Sequence, residues 1–231
     1  MAKLSKRMKE WKGELDREKK FDFAEAAELL KKYTKAKFKE RFDVVIRLGI
    51  DPRKSDQMVR GSCSLPHGTG KEVRVLVFAK GDKEKEALDA GADFVGGDDM
   101  AQKIKDGWFE FDRVIAAPDM MGVVGKIGRI LGPRGLMPNP KVGTVTAAVG
   151  ETVKLVKKGQ VQFKTDKGAN IHATIGMMSF TAEQMKDNLQ TFHDAIIKLK
   201  PATAKGTFIK HIAISSTMGP GLKLDPFQFK P

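Results

Sequence analysis

Residues 125–143 read GKIGRILGPRGLMPNPKVG, and this stretch is the most distinctive part of the chain. Its five glycines allow tight turns or a close approach to another surface, and its three prolines restrict the path between them. We expect one or two helical turns up to Leu131 and a shaped loop from Gly132 onward. Positive charge comes from Lys126, Arg129, Arg134 and Lys141. A rigid basic loop suits a phosphate-bearing partner, although a structural crossover loop has a similar composition.

The segments around this stretch alternate strands with helices. Residues 73–79 form a continuous apolar run, which is typical of a strand buried on both faces of a parallel sheet. Further strands are predicted around 94–95, 113–117 and 144–149, and helices over 83–90, 100–105 and 151–158. This order predicts a three-layer, Rossmann-like α/β domain with right-handed crossovers.

The two ends of the chain show a period of two instead. Apolar residues alternate over 42–50, over 59–65, on both sides of a turn at 166–168, and over 207–215. We expect the strand at 59–65 to pair antiparallel with the strand at 42–50. Helices are predicted over 22–35 and 180–200, the second with Leu199 on its apolar face. Neither end can bury its own sheet, so together they predict one discontinuous α+β domain.

The resulting interpretation has two domains, residues 1–67 with 160–231 and an inserted domain at 68–159, joined by hinges at Pro66, Gly68 and Gly159. The net charge of +13 is divided unequally between them. Residues 68–159 hold 15 Lys and Arg against 13 Asp and Glu, a net charge of +2, which leaves +11 for the two ends. A surplus of this kind suits a polyanion such as RNA.

Composition restricts the remaining classes of function. The single cysteine excludes an internal disulfide, and no apolar run is long enough to cross a membrane, so we expect a cytoplasmic protein. The four histidines lack metal-ligand spacing, and we expect no metal and no cofactor. Lys126 follows Gly125 without the spacing of a phosphate-binding nucleotide loop. We therefore expect that the protein is not an enzyme. The alternative interpretation is a nucleotide-binding α/β enzyme.

Two short motifs favour RNA. Phe38 lies among lysines at the entrance to a strand. The lysines can hold phosphates while the aromatic ring covers a base. The alternative is that the ring of Phe38 belongs to the hydrophobic core. Thr217, Met218 and Gly219 follow the last long strand. A hydroxyl there can reach ribose 2′-hydroxyls and the glycine allows close approach, although a simple strand-ending turn would look the same.

Taken together, GKIGRILGPRGLMPNPK at 125–141, Lys37-Phe38, GIDPRKSDQ at 49–57, GTF at 206–208 and TMG at 217–219 resemble the bacterial ribosomal protein L-one family of the large subunit. The resemblance implies the inserted two-domain fold and a monomer that binds large-subunit ribosomal RNA at the mobile side stalk. It also implies help with movement and release of deacylated tRNA from the exit site, and repression of the protein's own operon mRNA. The sequence does not distinguish this interpretation from a protein that acts only as an mRNA-binding repressor.

The resemblance also assigns residues. The discontinuous domain would make the primary RNA contacts, which the resemblance places on Lys37, Phe38, Glu40, Asp166, Lys167, His172, Ser179, Lys205, Thr207, Thr217, Met218 and Gly219. The inserted domain would add a secondary RNA contact through Lys126, Arg129, Arg134 and Lys141. No role is assigned to the phenylalanines at 227 and 229.

Overall fold

A computed structural model describes residues 5–16 and 18–229 of the chain. Its strands are β1 (Lys20–Phe21), β2 (Arg41–Leu48), β3 (Arg60–Ser64), β4 (Val75–Phe78), β5 (Phe94–Gly96), β6 (Arg113–Ala116), β7 (Gln160–Lys164), β8 (Asn170–Met177), β9 (Ile209–Ser216) and β10 (Leu222–Leu224). Its α-helices are α1 (Lys6–Glu14), α2 (Phe23–Tyr33), α3 (Asp82–Asp89), α4 (Asp98–Lys105), α5 (Met121–Lys126), α6 (Gly128–Leu131), α7 (Val149–Lys157) and α8 (Ala182–Lys198). Among the described residues, no helix is both long and apolar enough to span a membrane.

The chain divides into two compact units. One, which we call the terminal unit, takes the described parts of Met1–Val59 and Phe163–Pro231; the other, the middle unit, is Arg60–Gln162. The predicted boundaries at 67/68 and 159/160 both fall inside the middle unit. The division of the chain into two independent domains stays a prediction.

A five-stranded sheet in the order β1-β10-β9-β2-β8 organises the terminal unit. Strand β2 is antiparallel to both of its neighbours, β8 and β9. The predicted alternation is confirmed, because Phe42, Val44, Ile46 and Leu48 are buried while the residues between them are not. Helices α2 and α8 pack together and contact the sheet through β8, β9 and β10.

Local hydrogen bonds begin both helices. The Asp22 side chain accepts a bond from the Ala24 N–H at the start of α2, and Thr181 forms a complete capping box with Gln184 at the start of α8. The expectation for Leu199 was wrong: α8 ends at Lys198 and Leu199 is 40% exposed.

The C-terminal segment packs against the start of α2 in the terminal unit. The sequence alone assigned no role to this segment. The Gln228 side chain accepts a hydrogen bond from Phe23 N–H (3.0 Å) and donates one to the Phe21 carbonyl (3.3 Å). The ring of Phe229 is buried and lies 6.4 Å from that of Phe23. The C-terminal segment therefore caps the start of α2 and adds Phe229 to the core of the terminal unit.

The middle unit contains a parallel three-stranded sheet in the order β5-β4-β6. Helix α3 joins β4 to β5, and α4 leads from β5 to β6 on the other side of β4. Because parallel crossovers are right-handed, these two connections place α3 and α4 on opposite faces of the sheet. Helix α3 packs with α7, and α4 packs with α5. This arrangement agrees with the predicted α/β layers.

Two predicted strand features were wrong. Residues 144–149 form only an isolated bridge between Val145 and Ala116, because the Thr146 hydroxyl accepts a bond from Ala148 N–H and turns the chain into α7. Strand β3 pairs with β7 rather than with β2. Both edges of β2 are already occupied by β8 and β9.

Candidate nucleic-acid interface

A buried carboxylate joins the two predicted RNA motifs. Glu40, at the entrance to β2, is only 2% exposed. Its Oε2 accepts hydrogen bonds from the Ser216 hydroxyl (2.7 Å) and the Met218 N–H (3.0 Å), and its Oε1 accepts one from the Ala36 N–H (3.4 Å). The carboxylate thus ties the segment before β2 to the segment after β9, although they are 176 and more residues apart in sequence.

Two further hydrogen bonds hold the chain after β9. The Thr217 hydroxyl oxygen accepts a bond from Arg41 N–H at 2.9 Å, and Gly219 N–H donates to the Ser216 carbonyl at 3.2 Å. A Cβ on Gly219 would lie 2.4 Å from the Ser216 hydroxyl oxygen, which is closer than any real contact. The glycine is therefore required by the same hydroxyl that Glu40 binds.

This arrangement presents two apolar side chains to solvent between cations. Phe38 is 54% exposed and Met218 is 42% exposed. Lys37 and Ser179 are exposed as well, and Ser179 lies one residue beyond Met178, whose N–H donates to the Glu40 carbonyl. The possibility that Phe38 belongs to the core is therefore excluded. We call these residues the Glu40 cluster: Lys37, Phe38, Glu40, Ser179, Thr217, Met218 and Gly219.

A second group of predicted residues surrounds the turn between β7 and β8. Asp166 Oδ1 accepts bonds from Gly168 N–H (2.8 Å) and Asn170 N–H (2.7 Å). Its Oδ2 lies 3.3 Å from His172 Nε2. The Asn170 N–H is the main reason that the pKa of Asp166 falls to about 2. The turn is thus built around an ionised carboxylate, and it presents Lys167 to solvent.

Lys205 and Thr207 lie near this turn rather than near Glu40. Both are exposed and precede β9. The strand register places Ile209 opposite Leu48 and Asn170 opposite Arg47, whereas Ser216 lies opposite Phe42. We call the second group the Asp166 cluster: Asp166, Lys167, His172, Lys205 and Thr207. The eight residues of β9 separate the two clusters by roughly 25 Å at the usual rise per residue.

The face of the sheet between the clusters carries residues that sequence analysis did not propose. Arg47 is exposed near the end of β2 that lies beside the Asp166 cluster, with His211 opposite it on β9. The Thr174 hydroxyl on β8 donates to the carboxylate of Asp43 on β2. The period of two in β2 already placed Arg47 on the polar face, and that pattern was the signal that could have identified it.

The glycine- and proline-rich stretch is a loop fixed by its own bonds. Helical turns end at Leu131, as predicted, although they begin earlier, at Met121. Asn139 accepts a bond from Lys141 N–H at 2.8 Å, and its own N–H donates to the buried Thr144 hydroxyl at 2.8 Å. Gly135 and Gly143 have φ values of 71° and 77°, a region that favours glycine.

The four predicted secondary-contact cations, Lys126, Arg129, Arg134 and Lys141, are all exposed. The Arg134 guanidinium lies 3.5 Å from the centre of the Phe109 ring. This cation–π contact holds the tip of the loop against the middle unit while the charge stays accessible.

The predicted hinge residues lie within the middle unit. Gly159 has a φ of 100°, and a Cβ on it would lie 2.5 Å from the Gly68 Cα. The backbones of Gly68 and Gly159 are therefore in close contact, and Pro66 is exposed nearby in sequence. Their role as hinges stays a prediction.

Within the described part of the chain, no three His, Cys, Asp or Glu side chains come together as a metal site. The features that do come together are exposed cations and a solvent-facing aromatic ring around a fixed strand end. Such features characterise proteins that bind single-stranded or irregular nucleic acid.

A comparison with protein families identifies the class more closely. The model of the ribosomal protein L1p/L10e family matches residues 30–220, which is most of the chain. The chain therefore belongs to the ribosomal protein L1p/L10e family, the family that its sequence motifs resemble. Membership makes it a structural protein of the large ribosomal subunit that binds ribosomal RNA, rather than an enzyme, and places it in the ribosome of the cytoplasm.

Proposed function

We propose that the protein binds large-subunit ribosomal RNA at the mobile side stalk and that the Glu40 cluster is the centre of that contact. The observation that carries the proposal is the joining of two distant motifs by one buried carboxylate. Exposed Phe38 and Met218 offer surfaces for a base or ribose, and Lys37 offers charge for a phosphate. The Asp166 cluster, roughly 25 Å away along β9, supplies a second contact to the same RNA.

Charged and uncharged residues of the interface have different proposed roles, which follow from their chemistry. Lysines and arginines neutralise phosphates and supply affinity that falls as salt rises. The Thr217 hydroxyl, Gly219 and the exposed apolar side chains read the shape of the RNA through short-range contacts. We propose that specificity comes from this second set.

The middle unit has a separate proposed role. We infer that the two compact units act as domains joined near Pro66, Gly68 and Gly159, and that the basic loop at 125–143 makes a secondary RNA contact. Its four exposed cations and its fixed backbone support this role. Through the stalk, the protein would assist movement and release of deacylated tRNA from the exit site.

The same surface would bind any RNA that reproduces the stalk structure. We therefore propose that the protein also represses translation of its own operon mRNA, if that mRNA carries a matching fold. A competition assay tests this step: operon mRNA should displace a labelled stalk fragment from the protein. Failure to compete at concentrations that saturate stalk binding would refute repression by mimicry without affecting ribosomal RNA binding.

The main test is binding to a stalk fragment and to a scrambled RNA of equal length across a salt series. We expect a preference of about a thousandfold for the stalk fragment that persists as salt rises. Thr217→Val and Met218→Asp should weaken binding to the stalk fragment more than to the scrambled RNA. Equal losses on both RNAs would refute the proposed reading of shape by this cluster.

The alternative, a nucleotide-binding α/β enzyme, predicts a different result. ATP or GTP would then raise the thermal unfolding temperature of the protein, whereas an RNA-binding ribosomal protein should respond to the stalk fragment alone. Family membership favours the second outcome.

A further inference from the structure

A groove of about 400 Å³ lies directly beside the Glu40 cluster. Met8, Trp11 and Leu15 on and after α1 form one wall, and Phe21 and residues 219–223 form the other. Gly219 belongs both to this groove and to the Glu40 cluster. The groove is therefore continuous with the proposed RNA surface, and it lies in part on α1, which is outside residues 30–220 that match the family.

Helix α1 is held in place by its acidic side. The Tyr33 hydroxyl donates to Glu14 Oε2 at 2.5 Å, and Lys35 pairs with Glu10 at 3.5 Å. The hydrogen bond to Glu14 raises the pKa of Tyr33 to about 12. Lys35 also begins the segment that leads to Phe38, so α1 is attached to the chain that forms the Glu40 cluster.

The other sides of α1 carry exposed cations and the groove. Lys6, Arg7 and Lys9 are exposed. Trp11 touches the edge of Tyr33 at 6.2 Å between ring centres and also lines the groove. An aromatic wall beside exposed cations is the arrangement that proteins use to hold an unstacked base while its phosphates are neutralised.

The rim of the groove indicates which part of RNA would enter. Asp16 lines it, and Glu18, which pairs with Lys223 at 3.1 Å, lines it as well. Carboxylates repel a phosphate, but they accept hydrogen bonds from the exocyclic amino groups of adenine, cytosine and guanine. Most of the other lining residues are apolar, among them Met8, Trp11 and Leu222, and such side chains suit the face of a base better than a charged backbone.

We propose that this groove binds one unpaired, amino-bearing base of the RNA held at the Glu40 cluster, packed against Trp11. The inference rests on the proposed function, because it extends the same RNA surface onto α1. The base would leave its own stack and enter the groove, while the cations of α1 contact the flanking phosphates.

Two tryptophans, Trp11 and Trp108, make a direct test possible. In the Trp108→Phe variant, Trp11 is the only tryptophan, and its fluorescence should be quenched when the large-subunit stalk fragment binds. Gly221→Leu then fills the groove, since a Cβ at Gly221 meets no heavy atom within 4 Å and its φ is not positive. Gly221→Ala is the matched control.

We expect Gly221→Leu to abolish the quenching and to weaken stalk binding about tenfold, in line with the loss of one stacked base, while Gly221→Ala behaves like its parent. Tight stalk binding without quenching would overturn the inference and leave the proposed function intact. So would quenching or affinity that survives Gly221→Leu. Absence of specific stalk binding in the Trp108→Phe parent would refute the proposed function and the inference with it.

Discussion

Replacing Glu40 by glutamine tests the buried carboxylate at the centre of the proposed interface. The amide has nearly the same shape, but only its oxygen can accept hydrogen bonds. If that oxygen faces Ser216 and Met218, the amide nitrogen faces the Ala36 N–H, and two donors oppose each other. The 3.4 Å bond from Ala36 is then lost, and the 2.7 and 3.0 Å bonds lose the assistance of a charge.

The size of the effect follows from these three bonds. A bond to a charged acceptor contributes about 1 kcal/mol more than a neutral one, and an opposed buried donor costs about 1 kcal/mol. Relief of the buried charge offsets part of this loss. We therefore expect Glu40→Gln to lower the free energy of unfolding by about 2 kcal/mol, as measured by urea denaturation.

RNA binding separates this effect from simple electrostatics. Glu40→Gln raises the net charge by one, which alone would strengthen binding to any RNA. We expect the opposite for the stalk fragment, a loss of about tenfold because the two motifs lose their fixed relation. Glu28→Gln is the control, because it makes the same charge change at an exposed position of α2. Unchanged stability together with unchanged stalk binding in Glu40→Gln would refute the reasoning.

Three further changes test single contacts. Gly219→Ala should destabilise the protein by about 1–3 kcal/mol in urea denaturation, because its Cβ would meet the Ser216 hydroxyl at 2.4 Å; unchanged stability would show that this segment relaxes freely. Phe38→Ala should weaken stalk binding about tenfold without lowering the thermal unfolding temperature, since the ring is 54% exposed; a large drop in that temperature would contradict the proposed role. Asp166 has a pKa lowered from 3.8 to about 2, so its stabilising contribution is present above pH 4 and is lost as pH falls through 2. Asp166→Asn should flatten stability over that pH range, and an unchanged pH profile would show that the turn does not depend on the carboxylate.

Much of the secondary structure could be predicted because it depends on local periodicity. The alternation through β2 and the apolar run at β4 gave the correct element types and nearly the correct ends. Strand partners could not be predicted in the same way. Pairing of β2 with β9 joins residues more than 160 positions apart, and nothing local distinguishes β9 from β3 as a partner.

Errors arose where side-chain hydrogen bonds override the pattern. Residues 144–149 have the composition of a strand, yet the hydroxyls of Thr144 and Thr146 bind nearby backbone groups and turn the chain. Leu199 has a different cause: it continues the apolar face of α8 in sequence, but its backbone N–H bonds to the carbonyl of Ile196, three residues earlier, and the helix ends at Lys198. Periodicity counts apolar positions and takes no account of these competing bonds.

The site was predictable in part. Phe38 and residues 217–219 could be proposed from residue type and position, but Glu40 entered only through the family resemblance. An acidic residue near an RNA motif has no local signal that it will be buried. Its partners at Ser216 and Met218 become visible only when β2 and β9 are side by side.

The burial of Glu40 also predicts how salt should act on RNA binding. Protein donors occupy both of its oxygens, so it holds the backbone in place and does not face the phosphates. Affinity from phosphate contacts and affinity from shape are then carried by different residues. The slope of log affinity against log salt counts only the first kind.

We therefore expect Lys37→Gln to reduce that slope by about one unit, as for the loss of one phosphate contact. Phe38→Ala should lower affinity equally at every salt concentration and leave the slope unchanged. Lys198→Gln is the matched control, because it makes the same charge change at an exposed lysine that belongs to neither cluster. Lys198 ends α8, the helix that packs with α2 and contacts β8. Titrations of the stalk fragment from low to high salt measure all three variants. A change in slope for Phe38→Ala, or none for Lys37→Gln, would show that charge and shape are not read by separate groups.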